Sequence, residues 1–381
     1  MTTLSLISQE SRQAPNQSKP AALEFLGQGT ALPEHWIGQE ESIKYVIDYF
    51  CETDEERVWV PILYDKVGVK RRYSVLLRRP EGEADRHPEF PPPTTPSDEG
   101  PSVGYRMRLY ERECAPLALR ASRQALDQSG VRAEAITHVI TVSCSGFFAP
   151  GVDIALIKGL GLPATAQRTH VGFMGCYAAI NGLRVAQGFA GCNPDARILV
   201  CAVELCSLHY RYGKQPEYIV ANAIFSDGAA AVVVAPQQHP GGWCVTDTGS
   251  CLIPDSEDAM TWRIYDHGFM MTLSKQVPQL IGTYLPGWLN SWLGKNGLTQ
   301  DDVKTWAVHP GGPRILTAVA DALGLPRETM RVSLDVLCEH GNMSSPTILF
   351  VLDRLRRQNA PRPCVALGFG PGLMAEAMLF A

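Results

Sequence analysis

Apolar positions along the chain follow two patterns. Short, nearly unbroken apolar runs, bounded by glycine, proline and small polar residues, predict strands at 138–143, 197–204, 229–234, 305–308 and 364–367. Longer stretches with helical spacing predict helices at 105–129, 276–293, 314–323 and 345–358, and another starting just after Cys176. A strand that alternates poorly but is apolar throughout is one buried on both faces. Such strands between amphipathic helices predict an α/β fold whose sheet is covered on both sides. Two halves of similar plan follow from the order of elements. A faint echo between Phe225-Ser-Asp-Gly228 and Gly370-Pro-Gly-Leu373, each a glycine turn feeding a small-residue strand, hints at duplication. Residues 1–20 are polar and predict a loose, disordered tail. Residues 78–101 combine charge with prolines at 91–93 and 96, which predicts a surface loop.

Composition narrows the class. With 381 residues, 45% hydrophobic and 19% charged, the chain is long enough for a large or duplicated core. The first residues lack the basic start and apolar stretch of a signal peptide, and no later run reaches the length of a membrane span, so a cytoplasmic protein is expected. Eleven cysteines is an odd number, and several sit inside apolar strand-like runs, which suits free thiols in a reducing compartment. A net charge of −5 argues against bulk nucleic-acid binding and leaves a local phosphate site open.

Three segments carry candidate chemistry. In Val171-Gly-Phe-Met-Gly-Cys176-Tyr-Ala-Ala, one cysteine stands between a glycine turn and a helix start, where unpaired N–H groups and the macrodipole favour a thiolate. It is a candidate nucleophile or a buried structural thiol. His309 closes an apolar strand and runs into Pro310-Gly-Gly-Pro313, so its imidazole is expected at a strand's C-terminal edge, where α/β sites lie. Asn342, just before a helix, is either an N-cap or an amide donor. Together the three offer a nucleophile, a proton partner and an oxyanion donor for thioester chemistry. Cys201, Cys206 and His209 have zinc-ligand residue types, but strand geometry sends Cys201 and Cys206 to opposite faces, so no metal site is expected.

Gly175-Cys176, Phe225-Ser-Asp-Gly228, His309-Pro-Gly-Gly-Pro313, Gly341-Asn342-Met-Ser-Ser345 and Gly368-Phe-Gly-Pro-Gly372, in that order, resemble the signature segments of the type III polyketide synthases, the chalcone synthase family. The resemblance spans roughly 21–381 and is closest to bacterial members. It implies a thiolase-like, five-layered αβαβα fold of two pseudo-equivalent halves, 21–244 carrying the nucleophile and 245–381 carrying the histidine and asparagine. It also implies a homodimer with Cys176, His309 and Asn342 as catalytic triad, acyl-CoA and malonyl-CoA as substrates, and no cofactor.

The same resemblance places a substrate cavity at Phe225, Met271, Cys144, Cys206, His209, Ser344, Gly370 and Pro371. Met271 stands where plant members carry a second gatekeeper phenylalanine, and Cys144, Cys206 and His209 stand where chalcone synthases carry threonines. Such replacements imply a non-flavonoid starter, a fatty acyl-CoA giving alkylpyrones or alkylresorcinols. The rival is tetrahydroxynaphthalene or phloroglucinol formation from malonyl units alone. The run Lys66-Val-Gly-Val-Lys70-Arg71-Arg72 resembles the segment beside the CoA tunnel, with Lys66, Arg71 and Arg72 as phosphate contacts and Gly311 and Gly312 allowing close backbone approach. A cysteine protease also uses Cys, His and Asn, but the His309-Pro-Gly-Gly turn does not suit it. A CoA-primed ketoacyl synthase and a catalytically silent acyl-CoA binder are more distant alternatives.

Overall fold

The computed structural model describes residues 21–78, 89–95, 97–239 and 241–381. The expected tail at 1–20, and residues 79–88 and 96 of the expected loop at 78–101, lie outside the described residues. The first half runs β1 (Leu23–Ala31), β2 (Trp36–Gly38), α1 (Gln39–Phe50), α2 (Asp54–Val67), β3 (Arg71–Tyr73), α3 (Val103–Ser129) and β4 (His138–Ser143). It continues with α4 (Val152–Leu160), β5 (Gln167–Gly172), α5 (Ala178–Cys192), β6 (Ile198–Leu205), α6 (Pro216–Ile224) and β7 (Asp227–Pro236). The second half begins with β8 (Cys244–Leu252), β9 (Met260–Tyr265), β10 (Gly268–Leu273), α7 (Val277–Lys295) and β11 (Thr305–Val308). It ends with α8 (Pro313–Ala322), α9 (Arg331–His340), α10 (Pro346–Arg357), β12 (Cys364–Gly370) and β13 (Met374–Phe380).

The two halves repeat one topology. In the first, strands lie in the order β1-β7-β6-β4-β5, with β7 antiparallel to both neighbours and β6, β4 and β5 parallel. In the second, the order β8-β13-β12-β11 reproduces the first four with the same directions. The sheets join through a two-residue pairing of Leu23 with Val245 and Glu24 with Cys244. The echo between Phe225-Ser-Asp-Gly228 and the segment from Gly370 therefore marks the turns that feed β7 and β13, the matching strands of the two sheets.

Alternation along the strands builds the layers. On β6, Ile198, Val200 and Ala202 face a central core while Leu199, Cys201 and Val203 face α3. On the second sheet, Ala307, Ala366 and Met378 face the same central core, and Trp306, Val365 and Leu379 face α7 and α8. Helices α5 and α10 fill that centre, α5 touching strands of both sheets. The five layers are thus α3 and α4, the first sheet, α5 and α10, the second sheet, and α7 and α8. Because every strand near the middle packs helices on both faces, the sequence had to be apolar throughout rather than alternating. The predicted elements occur within a few residues of their expected ends. Among the elements not anticipated were α1, α2 and the β9–β10 hairpin, which line the cavity of the first half.

Candidate active site

Each candidate residue comes from the end of an element. Cys176 lies in the turn between β5 and α5, with Gly175 at φ +83° and Ala178 donating back to the Gly175 carbonyl at 3.0 Å. Only glycine fits there. A Cβ would meet Pro371 Cδ at 2.4 Å, and the left-handed φ strains any other residue. Gly370 has a related reason: a Cβ on it would meet the Tyr177 ring at 2.7 Å. Tyr177 also donates its hydroxyl to the Pro371 carbonyl at 3.2 Å. The loop containing Gly370 and Pro371 is thereby packed onto the turn that presents Cys176.

His309 follows β11 immediately and is held by its backbone N–H donating to the Leu367 carbonyl of β12 at 2.7 Å. Its ring is buried, and neither ring nitrogen has a hydrogen-bond partner among the described residues. Gly311 and Gly312 form the turn into α8 behind it.

Asn342 pairs with Phe225 through backbone bonds, its N–H donating to Ile224 at 2.8 Å and its carbonyl accepting from Ser226 at 3.0 Å. Its side-chain oxygen accepts from the Ser344 N–H at 2.7 Å and lies 3.5 Å from the Thr347 hydroxyl. With the oxygen so occupied, the amide NH₂ is the end left to face the site. The N-cap of α10 is Ser345, so Asn342 does not cap that helix.

The structure brings Cys176, Ser344 and Asn342 together, the Ser344 and Asn342 side chains lying near enough to the sulfur to favour its thiolate. Ser344 achieves this from φ +57°, a strained conformation for a residue with a Cβ. Burial pushes the Cys176 thiol up to about 11, against the pull of those two side chains and with the help of the Glu204 charge. Burial likewise holds His309 down to about 3. Burial therefore opposes the thiolate that the helix start alone would favour. Losing water outweighs the macrodipole at this depth.

Glu204 was not singled out from the sequence. It is fully buried and accepts from the N–H and hydroxyl of Ser145 at 2.9 and 2.6 Å, the Ser345 hydroxyl at 2.6 Å and the Cys144 N–H at 3.0 Å. The Cys144 thiol lies 3.1 Å from the same carboxylate and 3.3 Å from Ser344. The signal was a lone acid in an otherwise apolar strand, Ile198–Leu205, since an acid is almost never fully buried unless it is partnered.

A cavity of about 80 Å³ in the first half is lined by Phe225, Met271, Cys206 and His209 among others, whereas Cys144, Ser344, Gly370 and Pro371, also expected there, and Cys176 itself are not among its lining residues. Burial, with the Glu204 charge second, holds the Cys206 thiol well above its ordinary value. Trp262, also unforeseen, completes the wall and donates its indole N–H to the Cys144 carbonyl at 2.7 Å. His209 is fully committed: one ring nitrogen meets the Ser145 carbonyl at 2.6 Å, the other accepts from the Phe269 N–H at 3.0 Å, and its ring stacks on Phe269 at 4.0 Å. Cys201 instead faces α3, with its sulfur toward the Ala118 carbonyl, so the three zinc-type residues do not converge.

Of the expected phosphate contacts, Lys66 ends α2 on the surface and Arg71 is exposed over the Trp36 ring. Arg72 is a correction. It is 5% exposed, donates to the Ala223 carbonyl and to Ser42, lies over Tyr64, and lines the inner cavity. Strand alternation turns Arg72 inward where Arg71 turns out.

Similarity to known proteins agrees with this arrangement. Residues 8–238 match the chalcone and stilbene synthases' N-terminal domain, and residues 245–381 match their C-terminal domain. The chain is 33% identical over 370 residues to the alpha-pyrone synthesis polyketide synthase-like Pks18 of Mycobacterium tuberculosis, covering 94% of this chain and 91% of that one. It is 32% identical over 358 residues to the 1,3,6,8-tetrahydroxynaphthalene synthase of Streptomyces peucetius, covering 92% and 90%. Among solved structures, PKS-I of the brown alga Ectocarpus siliculosus superposes with a TM-score of 0.87 at 30% identity, covering 96% of this chain and 99% of that one. The C-terminal type III polyketide synthase domain of Steely1 from Dictyostelium gives 0.84 at 26% identity, covering 94% and 99%. Two matched sheets, a cysteine presented from a glycine turn and these matches over nearly the whole length lead to one assignment: the chain belongs to the chalcone and stilbene synthase family, as a bacterial-type type III polyketide synthase.

Proposed function

We propose that Cys176 carries the acyl chain, His309 moves its proton, and His309 and Asn342 together stabilise the enolate of malonyl-CoA. In the loading step the Cys176 proton passes to His309, sulfur attacks the acyl-CoA carbonyl, and the departing CoA thiolate takes the proton back. In extension, malonyl-CoA loses CO₂ and the electron pair of the broken C–C bond goes to an enolate oxygen. The Asn342 NH₂ and a His309 N–H donate to that oxygen. The enolate carbon then attacks the Cys176-bound carbonyl, the C–S bond breaks, and the chain is two carbons longer. Repetition and cyclisation follow, and this balance uses no metal or redox cofactor.

The observations that support the reading are a buried thiol whose charged form the Ser344 and Asn342 side chains favour, and a buried histidine whose ring nitrogens have no hydrogen-bond partner among the described residues. Lys66 and Arg71, exposed near the same half, are proposed as contacts for the CoA phosphates. We also propose a homodimer, supported by exposed Phe147, Phe173 and Met174 clustered next to the Cys176 turn. A reducing, cytoplasmic setting is supported by eleven unpaired cysteines. No helix of the described residues is long and apolar enough to cross a membrane. The test is to incubate the purified protein with malonyl-CoA and a panel of acyl-CoA starters and read the products by mass spectrometry. Extended, cyclised products with wild type and none with Cys176→Ala are expected. Products from both would overturn the assignment of Cys176.

A further inference from the structure

The turn that carries Asn342 is buried, with Asn342, Met343, Ser344 and Thr347 at 2%, 0%, 4% and 0% exposure. The Asn342 amide has two ends of nearly equal size, and only the NH₂ end can serve an oxyanion. A backbone N–H can donate only to the oxygen, and the Ser344 N–H does so at 2.7 Å, which turns the NH₂ away from the turn. Ser344 donates from φ +57°, a conformation that persists only where its surroundings hold it. Those surroundings are supplied by Thr347, in the first turn of α10. Its N–H donates to the Ser344 carbonyl at 3.1 Å, and its hydroxyl accepts from the Met343 N–H at 2.9 Å and lies 3.5 Å from Asn342 Oδ1. One residue of a buried helix thus touches all three residues of the turn.

We propose that Thr347 is a positioning residue for the enolate step, its hydroxyl keeping the Asn342 NH₂ turned toward the malonyl thioester. The inference rests on the reading of Asn342 as an enolate donor. Without the hydroxyl, the buried Met343 N–H would lose its acceptor, and the turn would relieve that by rearranging and giving up the Ser344–Asn342 bond. The amide is then free to turn over. Its oxygen, placed where the NH₂ had been, would repel the charge growing on the enolate. Thr347 therefore acts on the reaction through Asn342, without touching the substrate. Valine matches threonine in shape and differs from it by the hydroxyl alone, which makes the role separable from packing.

The test follows CO₂ release from malonyl-CoA and, as a separate reaction, acyl loading of Cys176 read by mass spectrometry of the intact protein. Thr347→Val should lower kcat for CO₂ release by about tenfold with KM held within about twofold, since misaiming a donor costs less than the roughly hundredfold of removing one. Acyl loading should stay within about twofold of wild type, which also reports that the variant is folded. Thr347→Ser should restore most of the rate. In an Asn342→Ala background, Thr347→Val should lower kcat no further, because a residue acting through Asn342 has nothing left to position. An unchanged kcat in Thr347→Val, no recovery in Thr347→Ser, the same loss repeated in the Asn342→Ala background, or acyl loading lost in parallel would each overturn the inference. Undiminished CO₂ release in Asn342→Ala itself would instead overturn the parent reading of Asn342.

Discussion

At Cys176 and His309, burial pushes the thiol up and the imidazole down, each penalised for bearing charge alone. With His309 as the proposed partner of Cys176, moving one proton from sulfur to imidazole would create two opposite charges, each relieving the other's penalty. His309 is therefore expected to lower the Cys176 pKa below the value burial alone imposes. Alkylation of Cys176 by iodoacetamide, followed across pH, measures this. In His309→Gln the midpoint should rise toward about 11, the value burial gives the thiol, while an unchanged midpoint would remove His309 as proton partner. Which residue types met at the site was legible in the chain. The protonation state was not, because desolvation depends on what packs over the sulfur, including Ser344 and the buried Glu204 from other segments. Arg72 shows the same limit: a charge run reads as a solvated surface, yet one member in the pairing strand of Arg71–Tyr73 faces inward.

At the scale of elements, the site depends on how the β5–α5 turn seats against the loop after β12. Pro371 fills the space that a side chain at position 175 would need. Gly175→Ala should therefore cost about 1–3 kcal/mol in stability, from forcing a left-handed backbone, and displace Cys176 enough to lower kcat by one to two orders of magnitude. Thermal unfolding and steady-state kinetics on the same sample check both parts. Full activity in this variant would show that the turn is not needed to aim the sulfur. The strands and long helices behind the site were readable because burial on both faces leaves an apolar run. The β9–β10 hairpin was not: Met260–Tyr265 and Gly268–Leu273 mix charged, aromatic and apolar residues because one face covers the cavity while Ile264 and Leu273 are exposed.

Across the whole molecule, the two halves are locked by polar contacts as well as by the central apolar layer. Glu376 on β13 is 2% exposed and accepts from Arg184 and Asn181 of α5 and from Ser250 of β8. Removing the carboxylate leaves those donors without their acceptor. Glu376→Ala should lower the unfolding free energy by roughly 2–3 kcal/mol, less than a fully buried pair would lose because Arg184 keeps partial access to water. Denaturant unfolding measures the change, and a loss under about 0.5 kcal/mol would assign the joining of the halves to apolar packing alone. Duplication was legible in the similar order of elements of the two halves and in the faint echo before β7 and β13, since matched topology with divergent side chains leaves little else in the chain.

The central claim is that Cys176, His309 and Asn342 divide the work: sulfur holds the chain, and the two N–H donors create the enolate. Release of CO₂ from malonyl-CoA, measured alongside polyketide formation, separates these roles. Cys176→Ala should still release CO₂ but extend nothing, and adding Asn342→Ala should cut CO₂ release by about a hundredfold or more. Polyketide made by Cys176→Ala, or CO₂ release undiminished in the double variant, would contradict the account.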